Sequence, residues 1–142
     1  MNVEVSTTIA RPPAEVFAFV GDVRNEPQWH TDILEASLTG NDEVGKGSTF
    51  EVRIKPSMGV SGGTGEVLEY RPNQRIVFHW QTGRIESVVT HTVAPDGAGA
   101  RFTRSINLTF PPAMRLATPL IRPMIRKAQA GFVANLQRVL EA

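Results

Sequence analysis

The order of parts along this chain is one that few folds accommodate. A short strand and a helical segment come first, antiparallel hairpins follow, and one long helix with an apolar stripe closes the chain. The opening reads Val3-Glu4-Val5-Ser6-Thr7-Thr8-Ile9-Ala10, then Arg11-Pro12-Pro13-Ala14-Glu15-Val16-Phe17-Ala18-Phe19-Val20, and the last helix runs from about Pro119 to Ala142. One helix fills the concavity of a curved sheet less completely than a second sheet would. The order therefore predicts an α+β protein with a hollow, and a hollow of that kind suits a small apolar ligand.

Local chemistry sets the boundaries. Pro12 and Pro13 stop the first strand, and one of them fits the first helical turn, where a missing N–H costs nothing. Val16, Phe17 and Val20 recur at helical spacing, Gly21 ends that piece, and Arg24 to His30 is a candidate for a second short helix. Leu34 to Leu38 reads as a strand. Phe50, Val52 and Ile54 alternate with Glu51, Arg53 and Lys55, a strand with one dry face, and Pro56 to Gly63 reads as a Gly-rich loop. The strand from Gly65 to Arg71 stays open: either Val67 and Glu69, or Leu68 and Tyr70, point inward. In the last helix Ile121, Ile125, Ala128, Phe132, Leu136 and Val139 form the stripe. Pro119 and Pro123 sit early in it or kink it, which makes Met114 to Pro119 a separate turn or loop.

Two hairpins can be registered against each other. With Thr82-Gly83 as a turn tip, Trp80 faces Ile85, Phe78 faces Ser87, Ile76 faces Val89 and, on the wet side, His79 faces Glu86. With Gly97-Ala98 as the next tip, Val93 faces Phe102, His91 faces Arg104, Val89 faces Ile106 and Ser87 faces Leu108. Both registers put Ile85, Ser87, Val89, His91 and Val93 on one face. Thr90, Thr92, Thr103, Ser105, Asn107 and Thr109 take the other face, which suits water.

The motif Ala10-Arg11-Pro12-Pro13-Ala14-Glu15-Val16-Phe17, with Gly21-Asp22-Val23 and Trp29, resembles the opening of the START-like, or SRPBCC, superfamily. Polyketide cyclase/dehydrase-like and birch-pollen-allergen-like proteins belong to it. Gly65-Glu66-Val67 with Tyr70-Arg71-Pro72, and the ending Ala134-Asn135-Leu136-Gln137-Arg138-Val139-Leu140-Glu141, resemble its central strand and last helical turns. The resemblance covers nearly the whole chain. It implies a helix-grip fold, with about six or seven antiparallel strands wrapped around the C-terminal helix and two short helices near the N-terminus. It says little about function, because this fold hosts binders, cyclases, hydrolases and chaperone regulators alike.

The bulk properties remove several classes. The 142 residues fit one domain, residues 1–142, with a proper core. A net charge of +1 gives no strong attraction to nucleic acid. Without cysteine there are no disulfides, thiolate nucleophiles or zinc-thiolate sites. No basic-then-apolar leader precedes the first strand and no apolar run spans a bilayer, so a cytoplasmic protein without stable membrane insertion is expected. Gly59-Val60-Ser61-Gly62-Gly63-Thr64-Gly65 lacks the Lys and the following helix of a phosphate loop, and no histidines sit at helical metal spacing. No cofactor or metal is expected. Monomer and homodimer both fit.

His91 and Arg104 are the sharpest candidates for chemistry, since the register sets them opposite each other on the apolar face. A charge pointing inward needs a partner. Arg104 could serve a ligand carboxylate, phenolate or enolate, and its charge would keep His91 neutral. In the plainer reading Arg104 snorkels to the pocket mouth or pairs with an acid such as Glu51 or Glu69. The expected lining is Trp29, Phe50, Val52, Phe78, Trp80, Val89, His91, Phe102, Arg104, Ile106, Ile125 and Phe132. The leading expectation is a binder or carrier of a lipid, polyketide or aromatic molecule. The alternative is a polyketide cyclase or dehydratase in which His91 moves a proton and Arg104 stabilises an enolate. A third class, a partner or membrane module, rests on Arg115, Arg122, Arg126 and Lys127 beside Met114, Leu116 and Leu120.

Overall fold

A computed structural model describes residues 1–40, 43–57 and 59–142. Seven strands form one antiparallel sheet in the order β1-β7-β6-β5-β4-β3-β2. They are β1 (Asn2–Ile9), β2 (Ile33–Leu38), β3 (Thr49–Ser57), β4 (Val60–Arg71), β5 (Arg75–Thr82), β6 (Ile85–Asp96) and β7 (Gly99–Thr109). Between β1 and β2 lie helix α1 (Pro13–Val20) and a 3-10 helix, Val23–Gln28; after β7 come a second 3-10 helix, Pro112–Ala117, and α2 (Thr118–Glu141). This is the helix-grip architecture. Pro13 opens α1, and the Asp22 side chain caps the first 3-10 helix by accepting from the Arg24 N–H at 3.0 Å.

The β6–β7 register is the one the alternation predicts: Val93 opposes Phe102, His91 opposes Arg104, Val89 opposes Ile106 and Ser87 opposes Leu108. The β5–β6 register differs by two residues. Thr82 opposes Ile85, Trp80 opposes Ser87, Phe78 opposes Val89 and His79 opposes Val88 rather than Glu86. The turn is Gly83-Arg84, because the positive φ of +60° that a tight hairpin needs at its first loop position falls on Gly83. A shift of two leaves every side chain on the same face, so the inward set survives the correction.

Strand β4 follows neither of the two alternatives for Gly65 to Arg71. Val67 opposes Phe78 and is fully buried, but Glu69 already opposes Val77, so Leu68 and Glu69 share one partner. This bulge reverses the alternation. Leu68 turns out to solvent, and Tyr70 turns in to meet the Phe17 ring edge-on at 5.6 Å. The expected loop from Pro56 to Gly63 is mostly strand: β3 continues to Ser57, β4 starts at Val60, and Ser57 pairs with Val60. Met58, inside that stretch, lies outside the described residues.

Helix α2 is anchored unevenly. Gln129, Phe132, Val133 and Leu136 are buried, whereas Ile121 and Ile125 are half-buried and Ala128 and Val139 are exposed. Its C-terminal half lies beside β1, where the Gln137 side-chain amide donates to the Thr8 carbonyl at 3.1 Å. Its first half stands off the sheet.

Gly65 shows how closely the strands are packed. A methyl group there would collide with the Phe50 ring and the His79 carbonyl, whereas Gly40 has nothing within 4 Å. Gly65→Ala should therefore cost about 1–3 kcal/mol in urea denaturation, the usual range for overpacking, while Gly40→Ala should leave stability nearly unchanged.

Candidate functional site

His91 (β6) and Arg104 (β7) meet in the interior, where both side chains are almost wholly removed from solvent. The Val20 carbonyl at the end of α1 can only accept, so His91 Nδ1–H donates to it at 3.0 Å. That tautomer leaves Nε2 as an acceptor, and Arg104 Nη1–H donates to it at 2.6 Å. Arg104 Nε–H donates to Gln129 Oε1 on α2 at 2.7 Å. Glu26, from the first 3-10 helix, sets its carboxylate 3.7 Å from Arg104 Nη1 and 3.8 Å from His91 Nε2. The Trp29 ring lies 5.3 Å from the guanidinium carbon, within cation–π range. Arg104 is thus partnered by Glu26. The acids named from sequence face elsewhere: Glu69 pairs with Arg71 and Arg75, and Glu51 is exposed in β3.

Burial dominates the electrostatics of this cluster. It raises Glu26 to about 7, and the attraction of Arg104 offsets only part of that. It lowers Arg104, with Glu26 opposing. His91 is held well below its ordinary value by burial first and by the Arg104 charge second. The geometry agrees, because a proton on Nε2 would face the Arg104 N–H. His30 is lowered to about 3, again by burial first and Arg104 second, and its ring stacks on Phe132 at 3.9 Å.

The cavity lies beside this cluster. A hollow of about 500 Å³ opens between the sheet and the first half of α2. Of the expected lining, Trp80, Ile106, Ile125 and Phe132 are on its wall. Phe50, Val52, Phe78 and Arg104 surround a separate void of about 10 Å³, room for no more than a water. Trp29, Val89, His91 and Phe102 line neither space, since the rings of Trp29, Phe78 and Phe102 close around His91 at 5.2–5.6 Å. The lining expected from sequence omits Ser87 and Gln129, and His30, which reads from sequence as a solvated residue near the pocket entrance; all three are buried and on the wall, while Asp32, Lys55 and Ser57, also omitted, are exposed and mark where the cavity meets water. Ser87 was on the inward face already. Gln129 could have been found as the polar residue within the helical stripe.

The profile of the family described as "Polyketide cyclase / dehydrase and lipid transport" matches residues 1–141. No curated protein matches the chain in sequence. Among solved structures, TTHA0849 from Thermus thermophilus is similar with a TM-score of 0.77 and 17% identity, over 97% of this chain and 95% of that one. Ara h 8.0201 is similar with a TM-score of 0.70 and 16% identity, over 100% and 99% of the two chains. DynU16, from the dynemicin biosynthetic locus, has a TM-score of 0.67 and 21% identity, over 99% of this chain and 47% of that one. At these identities the structural likeness concerns the fold.

The buried ionisable groups give a pH signature. Unfolded, His30 takes up a proton near pH 6.5, but folded it resists until about pH 3. Between those values the unfolded chain binds more protons, so stability rises with pH, and His91 acts in the same sense. Glu26 acts oppositely between pH 4.5 and about 7, since the folded chain keeps a proton that the unfolded chain has released. Two imidazoles against one carboxyl leave stability rising with pH across the overlap, pH 4.5 to 6.5. Urea titrations through that window should show stability rising, and His30→Phe should make the rise shallower.

Proposed function

The chain belongs to the polyketide cyclase/dehydrase and lipid transport family, and we propose that it binds and carries a small, largely apolar molecule in the cavity between sheet and α2. The observation that carries this reading is the cavity itself. At about 500 Å³ it falls in the range of small-molecule sites. Its wall is mainly aliphatic and aromatic, with Trp80, Ile106, Leu108, Ile125 and Phe132 prominent, and its mouth carries Asp32 and Lys55. Such a lining favours an apolar body with a polar end left near water. Trp80, Ile106, Ile125 and Phe132 are the assigned ligand contacts.

The family also contains cyclases and dehydratases, and the same cavity could hold a polyketide. The polar chemistry weighs toward carriage. His91 has both ring nitrogens engaged, and Arg104 is turned to His91, Gln129 and Glu26. His30, lowered to about 3, is a weak base.

The direct test is to extract the purified protein and identify co-purifying small molecules by mass spectrometry, then titrate them and a panel of fatty acids, aromatic acids and polyketides by calorimetry. A true ligand at a hundredfold excess over its Kd should stabilise the fold by about 2.7 kcal/mol. Ala128→Trp, which fills the cavity from the half-anchored part of α2, should weaken binding at least about tenfold without lowering the melting temperature of the free protein. No stabilisation by any apolar compound would overturn the reading.

A further inference from the structure

The most exposed large apolar side chains among the described residues lie in one short stretch. Leu116, Leu120 and Met124 are 93%, 78% and 71% exposed, while the next, Leu68, is 43% exposed. Scattered exposed leucines need no explanation, but a contiguous set does. Leu120 and Met124 stand one turn apart on the same face of α2, with Lys127 on that face three residues on. Leu116 sits in the preceding 3-10 helix. These side chains project mainly into solvent.

The charges around them have one sign. Arg115, Arg122, Arg126 and Lys127 are all exposed, and none is in an ion pair among the described residues. The sequence holds no Asp or Glu between Asp96 and Glu141. The patch also adjoins the cavity: Ile125, between Met124 and Arg126, is on the cavity wall. Along α2 it runs on into an open trough of about 950 Å³ lined by Met124, Lys127, Gly131 and Arg138.

We propose that this face, from Leu116 to Lys127, docks the protein on an anionic lipid bilayer, with Leu116, Leu120 and Met124 entering the headgroup–acyl boundary and the surrounding cations on lipid phosphates. Protruding apolar side chains ringed by cations, with low overall hydrophobicity, are the pattern of helices that lie in a membrane interface. The long stems of Arg122 and Arg126 let their charges reach phosphate while the helix lies flat. A second copy of this chain is a poorer occupant, since a two-fold contact through this face would bring cations against cations. No helix among the described residues is long and apolar enough to cross a membrane, so the contact is peripheral. Docked this way, the rim of the cavity at Ile125 sits at the lipid surface. The inference stands whether or not the cavity carries a lipid.

The experiment is co-sedimentation of the full chain with phosphatidylcholine vesicles, with and without phosphatidylglycerol, in low and high salt. The protein should pellet with the phosphatidylglycerol vesicles in low salt, and both high salt and neutral vesicles should weaken binding at least about tenfold. Leu120→Ser with Met124→Ser, and separately Arg122→Glu with Arg126→Glu, should each reduce binding to a similar extent with an unchanged melting temperature, because all four side chains are exposed. Leu68→Ser, on the outer face of the sheet, should leave binding intact. Absence of vesicle binding overturns the proposal, as does binding that survives the loss of Leu120 and Met124. So does a dimer, seen by gel filtration, that the Leu120/Met124 variant dissolves without any vesicle binding by the parent chain.

Discussion

The hydrogen bond from Arg104 to His91 ties the parts of this fold into one arrangement. Removing a guanidinium from water costs several kcal/mol unless its donors are satisfied, so the surrounding elements must all be correctly placed together. β6 supplies His91, α2 supplies Gln129, the first 3-10 helix supplies Glu26, and α1 closes the chain of bonds with the Val20 carbonyl. Surface pairs such as Arg53 with Glu35 contribute little, because water screens them, and could be rearranged freely. The interior network could not. Losing one member would leave an unpaired buried polar group, the costliest kind of local error.

That network also divides the interior in two. On one side Trp29, Phe78 and Phe102 pack against the imidazole with almost no free volume. On the other side, beyond Gln129, the half-anchored part of α2 leaves a roomy cavity. Gln129 belongs to both, accepting from Arg104 while forming part of the cavity wall. The buried charge thus ties the sheet to the helix at one end of the hollow.

Much of this was readable from residue order, and the exceptions have physical causes. Alternation with a Gly at the loop position fixes the β6–β7 register, because a slip of one residue would expose the apolar face. The same logic cannot see a slip of two, which is how β5–β6 came to differ. Alternation also cannot reveal the bulge at Leu68-Glu69, where the period itself is broken. The opposition of His91 and Arg104 followed from register, but their partner did not: Glu26 comes from a 3-10 turn remote in sequence, with no periodic signal linking it to β7. The cavity wall was only partly legible, since an inward-facing residue becomes lining or core according to how far α2 stands from the sheet.

Pro123 bears on how that cavity is reached. Lacking an N–H, it cannot complete the helical bond to the carbonyl of Pro119, one turn earlier. The turn around it thus holds fewer internal bonds than its neighbours and few buried contacts, while the stretch from Gln129 to Leu136 is locked into the core. Local opening free energy is lowest where both are scarce. The backbone amides at the start of α2 should therefore trade hydrogen for deuterium long before those of its C-terminal half. This edge of the hollow is thus the least constrained part of the helix, while the stretch beside the network around Arg104 is held by its buried contacts.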